Sequence, residues 1–337
     1  TGGGRLIIMR EAMYYEKSAG GYVNCCLCPH HCRIAPGRVG TCKVRKNIDG
    51  KLYSVNYGRV SSWAMDPIEK KPLYHFYPGS MIFSVGSIGC NFRCKFCQNW
   101  QIAQLTDIPT LQISPGELIE TAKRKEENIG IAYTYNEPTI WYEYILECAK
   151  LARYAGLKNV LVTNGFIEKE PLQELLPYID AMNIDVKAFS EDFYQDLVFG
   201  SLLPVKQTVE IAQARCHVEV TMLIIPGMND RDEEIEELAK WLLSLRKDIP
   251  LHITRYFPNF KLDIPPTPVE RIKTARDIAM KYLDYVYTGN IADDVGNNTY
   301  CPTCKKLIIR RAGYKTHSKV KDNKCPYCKG FVSLIES

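Results

Sequence analysis

The sequence predicts an α/β fold, a partial (βα)6 TIM-like barrel with a cysteine-rich segment before it and a small metal-bound unit after it. From residue 81 onward, short apolar runs alternate with amphipathic stretches, which implies a parallel sheet with right-handed crossovers. About six such units are too few to close an eight-fold barrel, and functional loops are expected at the carboxyl ends of the strands. The strand candidates are 81–86, 130–135, 159–163, 181–187, 217–225 and 250–257.

Three parts are predicted from the change in composition along the chain. Residues 1–80 form a cysteine-rich metal-binding segment, residues 81–290 form the barrel core, and residues 291–337 form a linker followed by a zinc ribbon. Helix signals lie between the strand candidates. Residues 114–117 read as a capping box with proline at the first helical position, and residues 233–245 repeat apolar side chains at helical spacing.

Composition and cysteine use indicate a cytoplasmic metalloprotein. Of 337 residues, 46% are apolar and 24% are charged, which is ordinary for a soluble globular protein, and no stretch of 18 apolar residues suggests a membrane span. The N-terminal stretch Thr1-Gly2-Gly3-Gly4-Arg5 is short and polar and lacks the apolar core of a signal peptide. Twelve of the fourteen cysteines lie in tight clusters, and only Cys148 and Cys216 stand alone. Clusters without an export signal favour metal binding in a reducing cytoplasm over disulfides.

The cysteines of residues 90–97 have the spacing of a metal centre with an open coordination position. Cys90, Cys94 and Cys97 follow a C-x3-C-x2-C pattern directly after the first strand candidate of the barrel. A 4Fe–4S cluster has four irons, so three cysteines leave one iron free to bind a substrate or cofactor. The alternative is a zinc site or a set of buried free thiols.

The cysteines near the N-terminus predict a second, fully ligated metal site. Cys25, Cys28, Cys32 and Cys42 follow a C-x2-C-x3-C-x9-C pattern whose intervening glycines and proline favour turns. Four thiolates can close either a zinc site or a second iron–sulfur cluster, and spacing does not choose between them. Free thiols are the alternative.

The last cysteines predict a zinc ribbon. Cys301-Pro302-Thr303-Cys304 and Cys325-Pro326-Tyr327-Cys328 are twenty residues apart, and a strand is expected over 307–311. From Cys301 to the end there are nine Lys/Arg and two Asp/Glu, a balance of +7 within a chain of net charge +5. A basic tail can bind nucleic acid or an acidic protein partner, or it can offset the metal-bound thiolates.

The C-x3-C-x2-C pattern, with an aromatic residue just before the last cysteine, resembles the signature of the radical S-adenosylmethionine (SAM) enzymes. Further segments resemble the family in the expected order: residues 133–138, 160–166, 183–187 and 223–230. The resemblance implies a 4Fe–4S cluster whose open iron chelates SAM, and reductive cleavage of SAM to a 5′-deoxyadenosyl radical. It also implies six SAM-contacting residues, with no separate catalytic residue assigned: Phe96, Glu137, Thr163, Asn164, Asp185 and Lys187. For Asp185 and Lys187, a structural ion pair is the alternative.

The flanking segments 25–30, 66–72 and 97–99 look like the radical SAM component of the AmmeMemoRadiSam system, whose core resembles pyruvate formate-lyase activating enzymes. That resemblance implies Memo-like and AMMECR-type partner proteins and an electron donor such as ferredoxin or flavodoxin. The leading hypothesis is hydrogen abstraction from a protein or RNA substrate, with activation of a glycyl radical enzyme as a variant. The hypothesis of another class is a non-catalytic zinc protein that binds nucleic acid.

Overall fold

The N-terminal cysteine-rich segment consists of short antiparallel strands joined by turns. The computed structural model describes residues 9–292 and 295–336, so the first eight residues and Asp293–Asp294 of the predicted linker lie outside the described residues. One three-stranded sheet has the order β1-β6-β5 and another the order β2-β3-β4, while β7 pairs with a later short strand, β10 (Leu111–Gln112). The strands are β1 (Arg10–Glu11), β2 (Tyr15–Lys17), β3 (Val23–Cys25), β4 (Arg33–Ile34), β5 (Arg45–Ile48), β6 (Lys51–Ser54) and β7 (Arg59–Val60).

The centre of the molecule is one eight-stranded sheet, in the order β16-β15-β14-β13-β12-β11-β9-β8. Seven of these strands are parallel, and β8 pairs antiparallel with β9 at one edge. The strands are β8 (Ser62–Pro67), β9 (Met81–Gly86), β11 (Asn128–Tyr133), β12 (Lys158–Thr163), β13 (Ala181–Asp185), β14 (His217–Ile224), β15 (Leu251–Arg255) and β16 (Val286–Gly289); β10 is Leu111–Gln112.

All six predicted strands are present, but the (βα)6 count was too low. It missed β16, whose four residues give little apolar pattern, and β8, which lies in a stretch of mixed charged and aromatic residues. Both strands are recognised from their hydrogen bonds to a neighbouring strand, and the residue pattern within a single strand does not reveal such pairing. Within the described residues no pairing joins β16 to β8, so the barrel is not closed.

Helices connect the parallel strands and cover the sheet. The predicted capping box exists: Ser114 accepts a hydrogen bond from the backbone of Glu117, whose side chain accepts one from the Ser114 amide. The helices are α1 (Trp100–Gln104), α2 (Pro115–Lys123), α3 (Tyr142–Tyr154), α4 (Lys169–Leu175), α5 (Glu191–Phe193), which continues as a π-turn over Tyr194–Val198, α6 (Leu202–Ala212), α7 (Asp232–Leu245) and α8 (Val269–Ala279). No helix among the described residues is long and apolar enough to cross a bilayer.

The C-terminal unit packs against the end of the central sheet where the parallel strands begin, here called its amino-terminal edge. Its strands, β17 (Thr299–Tyr300), β18 (Leu307–Ala312) and β19 (Lys315–Ser318), form an antiparallel sheet in chain order. Arg311 is buried and donates to the Tyr74 carbonyl at 2.7 Å, and the Tyr287 hydroxyl, near the start of β16, shares a hydrogen bond with Thr299. Parallel strands place functional loops at their carboxyl ends, so this unit lies at the opposite edge from the loop that follows β9.

Candidate active site

The three cysteines of residues 90–97 lie on one loop at the carboxyl end of β9. Cys94 is buried, and Cys90 and Cys97 are half-buried. The backbone amide of Phe92 donates to the Cys90 sulfur at 3.3 Å. Burial raises the pKa of the Cys94 thiol to about 12, although nearby Lys187 opposes the shift. A bound metal would supply the positive charge that these sulfurs need as thiolates.

Asparagine side chains fix the path of this loop. Asn136 accepts from the Ser87 amide at 3.0 Å and donates to the Gly89 carbonyl at 2.8 Å. Asn91 donates to the Phe166 carbonyl and accepts from Asn164, both at 2.8 Å. Sequence reasoning did not identify Asn91 or Asn136 as functional. The signal that could have found them was two polar residues adjacent to Cys90 and Glu137.

The Glu137 carboxylate joins the ends of β11 and β12. It is 3% exposed and accepts from the Thr163 hydroxyl at 2.6 Å, from the Asn164 amide at 2.8 Å and from the Thr139 amide at 2.9 Å. Burial raises the pKa of this carboxyl, while the Asn164 amide and the Thr163 hydroxyl oppose the shift. A carboxylate has about four acceptor positions, so roughly one remains after these three bonds.

Asn164 connects that carboxylate to the cysteine loop. Besides its bond to Asn91, its side-chain nitrogen lies 3.8 Å from the Cys90 sulfur. The next residue, Gly165, has φ +69°, and a β-carbon there would lie 2.9 Å from Ile184. The turn that presents Asn164 therefore requires glycine. The structure brings three of the predicted site residues, Glu137, Thr163 and Asn164, into one network beside Cys90.

The predicted pair at the end of β13 lies near Cys94. The Lys187 ammonium contacts the Asp185 carboxylate at 2.5 Å, and both side chains are mostly buried. Burial by itself would lower the pKa of Lys187, but Asp185 and Cys94 outweigh it and raise the pKa. Phe96 is buried, and its ring packs against that of Phe193 with a centroid separation of 5.9 Å. The SAM contacts assigned to all six residues stay predictions.

The sulfur spacing fits a multi-iron cluster better than a single ion. Within residues 9–292 and 295–336, one group of at least three candidate ligand atoms lies within 4.8 Å of one another, and it consists of the C-terminal cysteines. A single tetrahedral zinc ion holds its sulfurs about 3.8 Å apart, whereas a 4Fe–4S cluster spreads its cysteine ligands over separate irons. Cys90, Cys94 and Cys97 are not such a contracted group, and their wider spacing is compatible with a cluster that takes one cysteine on each of three irons.

The C-terminal cysteines have the tight geometry of a single-ion site. The sulfurs of Cys301 and Cys328 are 3.6 Å apart, and those of Cys304 and Cys325 are 3.7 Å apart. These separations match the edge of a tetrahedron with metal–sulfur bonds of about 2.3 Å. The remaining predicted ligands line one pocket near the N-terminus: Cys25, Cys28, Cys32 and Cys42.

A model of the family described as "Radical SAM superfamily" matches residues 85–242 of this chain. An uncharacterized protein of Methanocaldococcus jannaschii is 44% identical over 336 residues, which is 97% of this chain and 100% of that protein. A second protein of that organism, described as a "Putative glycyl-radical enzyme activating enzyme", is 30% identical over 207 residues, 59% of this chain and 76% of the relative. Among solved structures, a radical SAM methyltransferase from Sphaerobacter thermophilus has a TM-score of 0.49 at 20% identity, covering 69% of this chain and 71% of its own.

Fold and site together define an α/β protein with an open, mostly parallel sheet and a three-cysteine centre at the carboxyl ends of its strands. The chain belongs to the radical SAM superfamily and has homologues that resemble activating enzymes. Membership implies an enzyme that uses a 4Fe–4S cluster and SAM.

Proposed function

We propose that this chain cleaves SAM reductively and directs the resulting 5′-deoxyadenosyl radical to a hydrogen atom of a protein or RNA substrate. When bound, the 4Fe–4S cluster supplies the single electron for cleavage and the open iron that chelates SAM. The observation that carries the proposal is the network at the carboxyl edge of the sheet, in which Cys90 adjoins the Glu137–Thr163–Asn164 hydrogen bonds.

The residues of the chain have distinct tasks in this proposal. Cys90, Cys94 and Cys97 hold the cluster. Glu137, with about one acceptor position left, receives the ammonium of the methionine moiety while its other bonds fix its orientation. The buried Asp185–Lys187 pair lies beside Cys94, where its charges orient polar groups of SAM. Phe96 contributes an apolar wall near the adenine.

The test of cluster assignment is the variant Cys94→Ala with Cys216→Ser as a matched control. After anaerobic reconstitution, Cys94→Ala should lose the 4Fe–4S electron paramagnetic resonance (EPR) signal that responds to SAM, because two thiolates do not hold the open-site cluster. The control removes a cysteine that no predicted site uses and should keep the signal. Retained 5′-deoxyadenosine formation in Cys94→Ala would refute the assignment.

Activation of a glycyl radical enzyme is the second candidate. It is favoured by the relative that bears that description and shares 30% identity with this chain. The radical would then abstract a hydrogen from a backbone glycine of a partner enzyme. Incubation with SAM, reductant and cell extract, followed by mass analysis of protein and RNA, distinguishes this candidate function from the first. A glycyl radical EPR signal in one extract protein would support activation, and a modified RNA would exclude it as the main reaction.

The proposal also includes zinc at the C-terminal cysteines, a cytoplasmic location and protein partners. The sulfur separations of 3.6 and 3.7 Å suit zinc, and cysteines that are clustered for metal binding and not paired in disulfides favour a reducing compartment. A ferredoxin or flavodoxin supplies electrons, and Memo-like and AMMECR-type proteins bind the chain. Co-purification from anaerobic lysate tests these partners. A non-catalytic zinc protein that binds nucleic acid would instead be colourless and would not cleave SAM.

A further inference from the structure

The four N-terminal cysteines converge on one pocket from separate short segments between β3 and β5. Cys25 ends β3, Cys42 precedes β5, and Cys28 and Cys32 lie between them. Apolar side chains, including Ile140, line the rest of the pocket. Cys26, next in sequence to Cys25, does not line it, and its sulfur lies near the Asn24 carbonyl at 3.6 Å. The fold therefore selects four of the five cysteines in this segment.

A buried arginine leaves one hydrogen-bond donor unsatisfied at this pocket. Arg45 lines it and is 1% exposed. Its terminal nitrogens bond to the Glu143 carboxylate at 2.7 Å and to the Ile140 carbonyl at 3.4 Å, but its Nε has no hydrogen-bond partner among the described residues. A buried donor without an acceptor is costly. Glu143 balances the charge of Arg45, and a metal-bound thiolate would be a stronger acceptor for the remaining Nε donor than a neutral thiol.

The spacing of the four sulfurs distinguishes the kind of metal centre. In the part of the chain that is described, no three N-terminal cysteines bring their sulfurs within 4.8 Å of one another, while the four C-terminal cysteines do. One chain thus contains a contracted four-sulfur site and a spread one. The spread arrangement is shared with Cys90, Cys94 and Cys97, where a bound 4Fe–4S cluster would place each ligand on a separate iron.

The pocket also lies directly against the loop of the three-cysteine centre. His30 hydrogen-bonds through Nε2 to the Asn91 carbonyl at 2.7 Å, and a β-carbon on Gly89 would lie 2.6 Å from the Cys42 carbonyl oxygen. Asn91 and Gly89 are the two neighbours of Cys90 in sequence, about 3.8 Å from it along the chain. The two cysteine sites are therefore adjacent.

We propose that Cys25, Cys28, Cys32 and Cys42 hold an iron–sulfur cluster, not zinc, next to the SAM-binding centre. Four cysteines complete its ligation, so this cluster does not chelate SAM. The inference concerns cofactor content and does not depend on the reaction proposed above.

The test uses the full chain with Cys90, Cys94 and Cys97 all changed to Ala, which leaves only the N-terminal site for iron. Expressed anaerobically, it should contain about two or four irons per chain, depending on cluster type, and one zinc. Its visible absorption should bleach on reduction, and its EPR signal should not respond to SAM. Absence of iron from this variant, with either one or two zincs per chain, would overturn the proposal.

Two further variants in this background keep the result interpretable. Adding Cys28→Ser should remove the iron while one zinc remains, which shows that the C-terminal unit is still folded. Adding Cys26→Ser, the matched control, should keep both metals. If the triple-alanine variant does not fold, iron content of the wild-type chain decides: about six or eight irons support the second cluster, and about four exclude it.

Discussion

His75 makes the contact between the central sheet and the C-terminal unit sensitive to acid. The side chain is fully buried, with Nδ1 2.5 Å from the Ser333 carbonyl and Nε2 2.6 Å from the Tyr287 hydroxyl. Burial lowers the pKa of His75 from 6.5 to about 4; the Glu219 carboxylate opposes the shift and Arg311 supports it. The neutral ring is thus the form that the folded protein accommodates.

The sign of the effect follows from proton binding. Between pH 6.5 and about 4 the unfolded chain binds a proton at His75 that the folded protein does not bind, so acid favours unfolding in that window. One pKa unit corresponds to about 1.4 kcal/mol, and the loss of unfolding free energy from this group is about 2 kcal/mol at pH 5 and close to zero at pH 7.5. Below pH 4 this contribution no longer grows.

The assay is chemical denaturation at pH 7.5 and pH 5 under anaerobic conditions. His75→Gln removes the titration, so the wild-type chain should lose about 2 kcal/mol more than this variant over the interval. Metal release in acid affects both proteins and cancels in the comparison. His317→Gln, which changes an exposed histidine of the same C-terminal unit, should behave like the wild type. Equal losses in wild type and His75→Gln would refute the reasoning.

Three further outcomes are expected. Gly165→Ala should lower the free energy of unfolding, measured by thermal unfolding, by about 1–3 kcal/mol, because φ is +69° and Ile184 would lie 2.9 Å from the new β-carbon. The control Gly116→Ala has open space around the new β-carbon and should leave stability unchanged. Equal stability of the two variants would contradict this. Glu137→Ala should lower the unfolding free energy by about 3 kcal/mol, because three buried donors lose their acceptor. It should also reduce the iron that the protein retains after desalting. Unchanged iron content would show that the hydrogen bonds of Glu137 do not support the cluster site. Cys304→Ser should release the C-terminal metal and lower the hydrogen-exchange protection of residues 299–336. Protection equal to that of the wild type would show that packing, without the metal, keeps the C-terminal unit folded.

Much of the core was predictable because its signals are local. Strands buried on both faces produce apolar runs, so the six strands from β9 to β15 that carry the parallel sheet could be located, apart from exact bounds. The capping box of α2 depends on residues three apart and was equally visible. Cysteine spacing identified the C-terminal group that the structure brings together.

The sequence alone predicted which residues carry the chemistry, since thiol and carboxylate side chains at short spacing can be recognised without coordinates. Only the tertiary structure decided the asparagine network around the cysteine loop, because Asn136 and Asn91 bond to backbone carbonyls in other loops, 47 and 75 residues away in sequence. It also decided that the C-terminal unit packs against the amino-terminal edge of the sheet, through a buried Arg311 that charge counting treats as part of a basic tail. Sulfur separations are likewise set by how the chain folds back on itself, which is why spacing in sequence left the N-terminal metal open; the distances between the sulfurs support the iron–sulfur cluster proposed there.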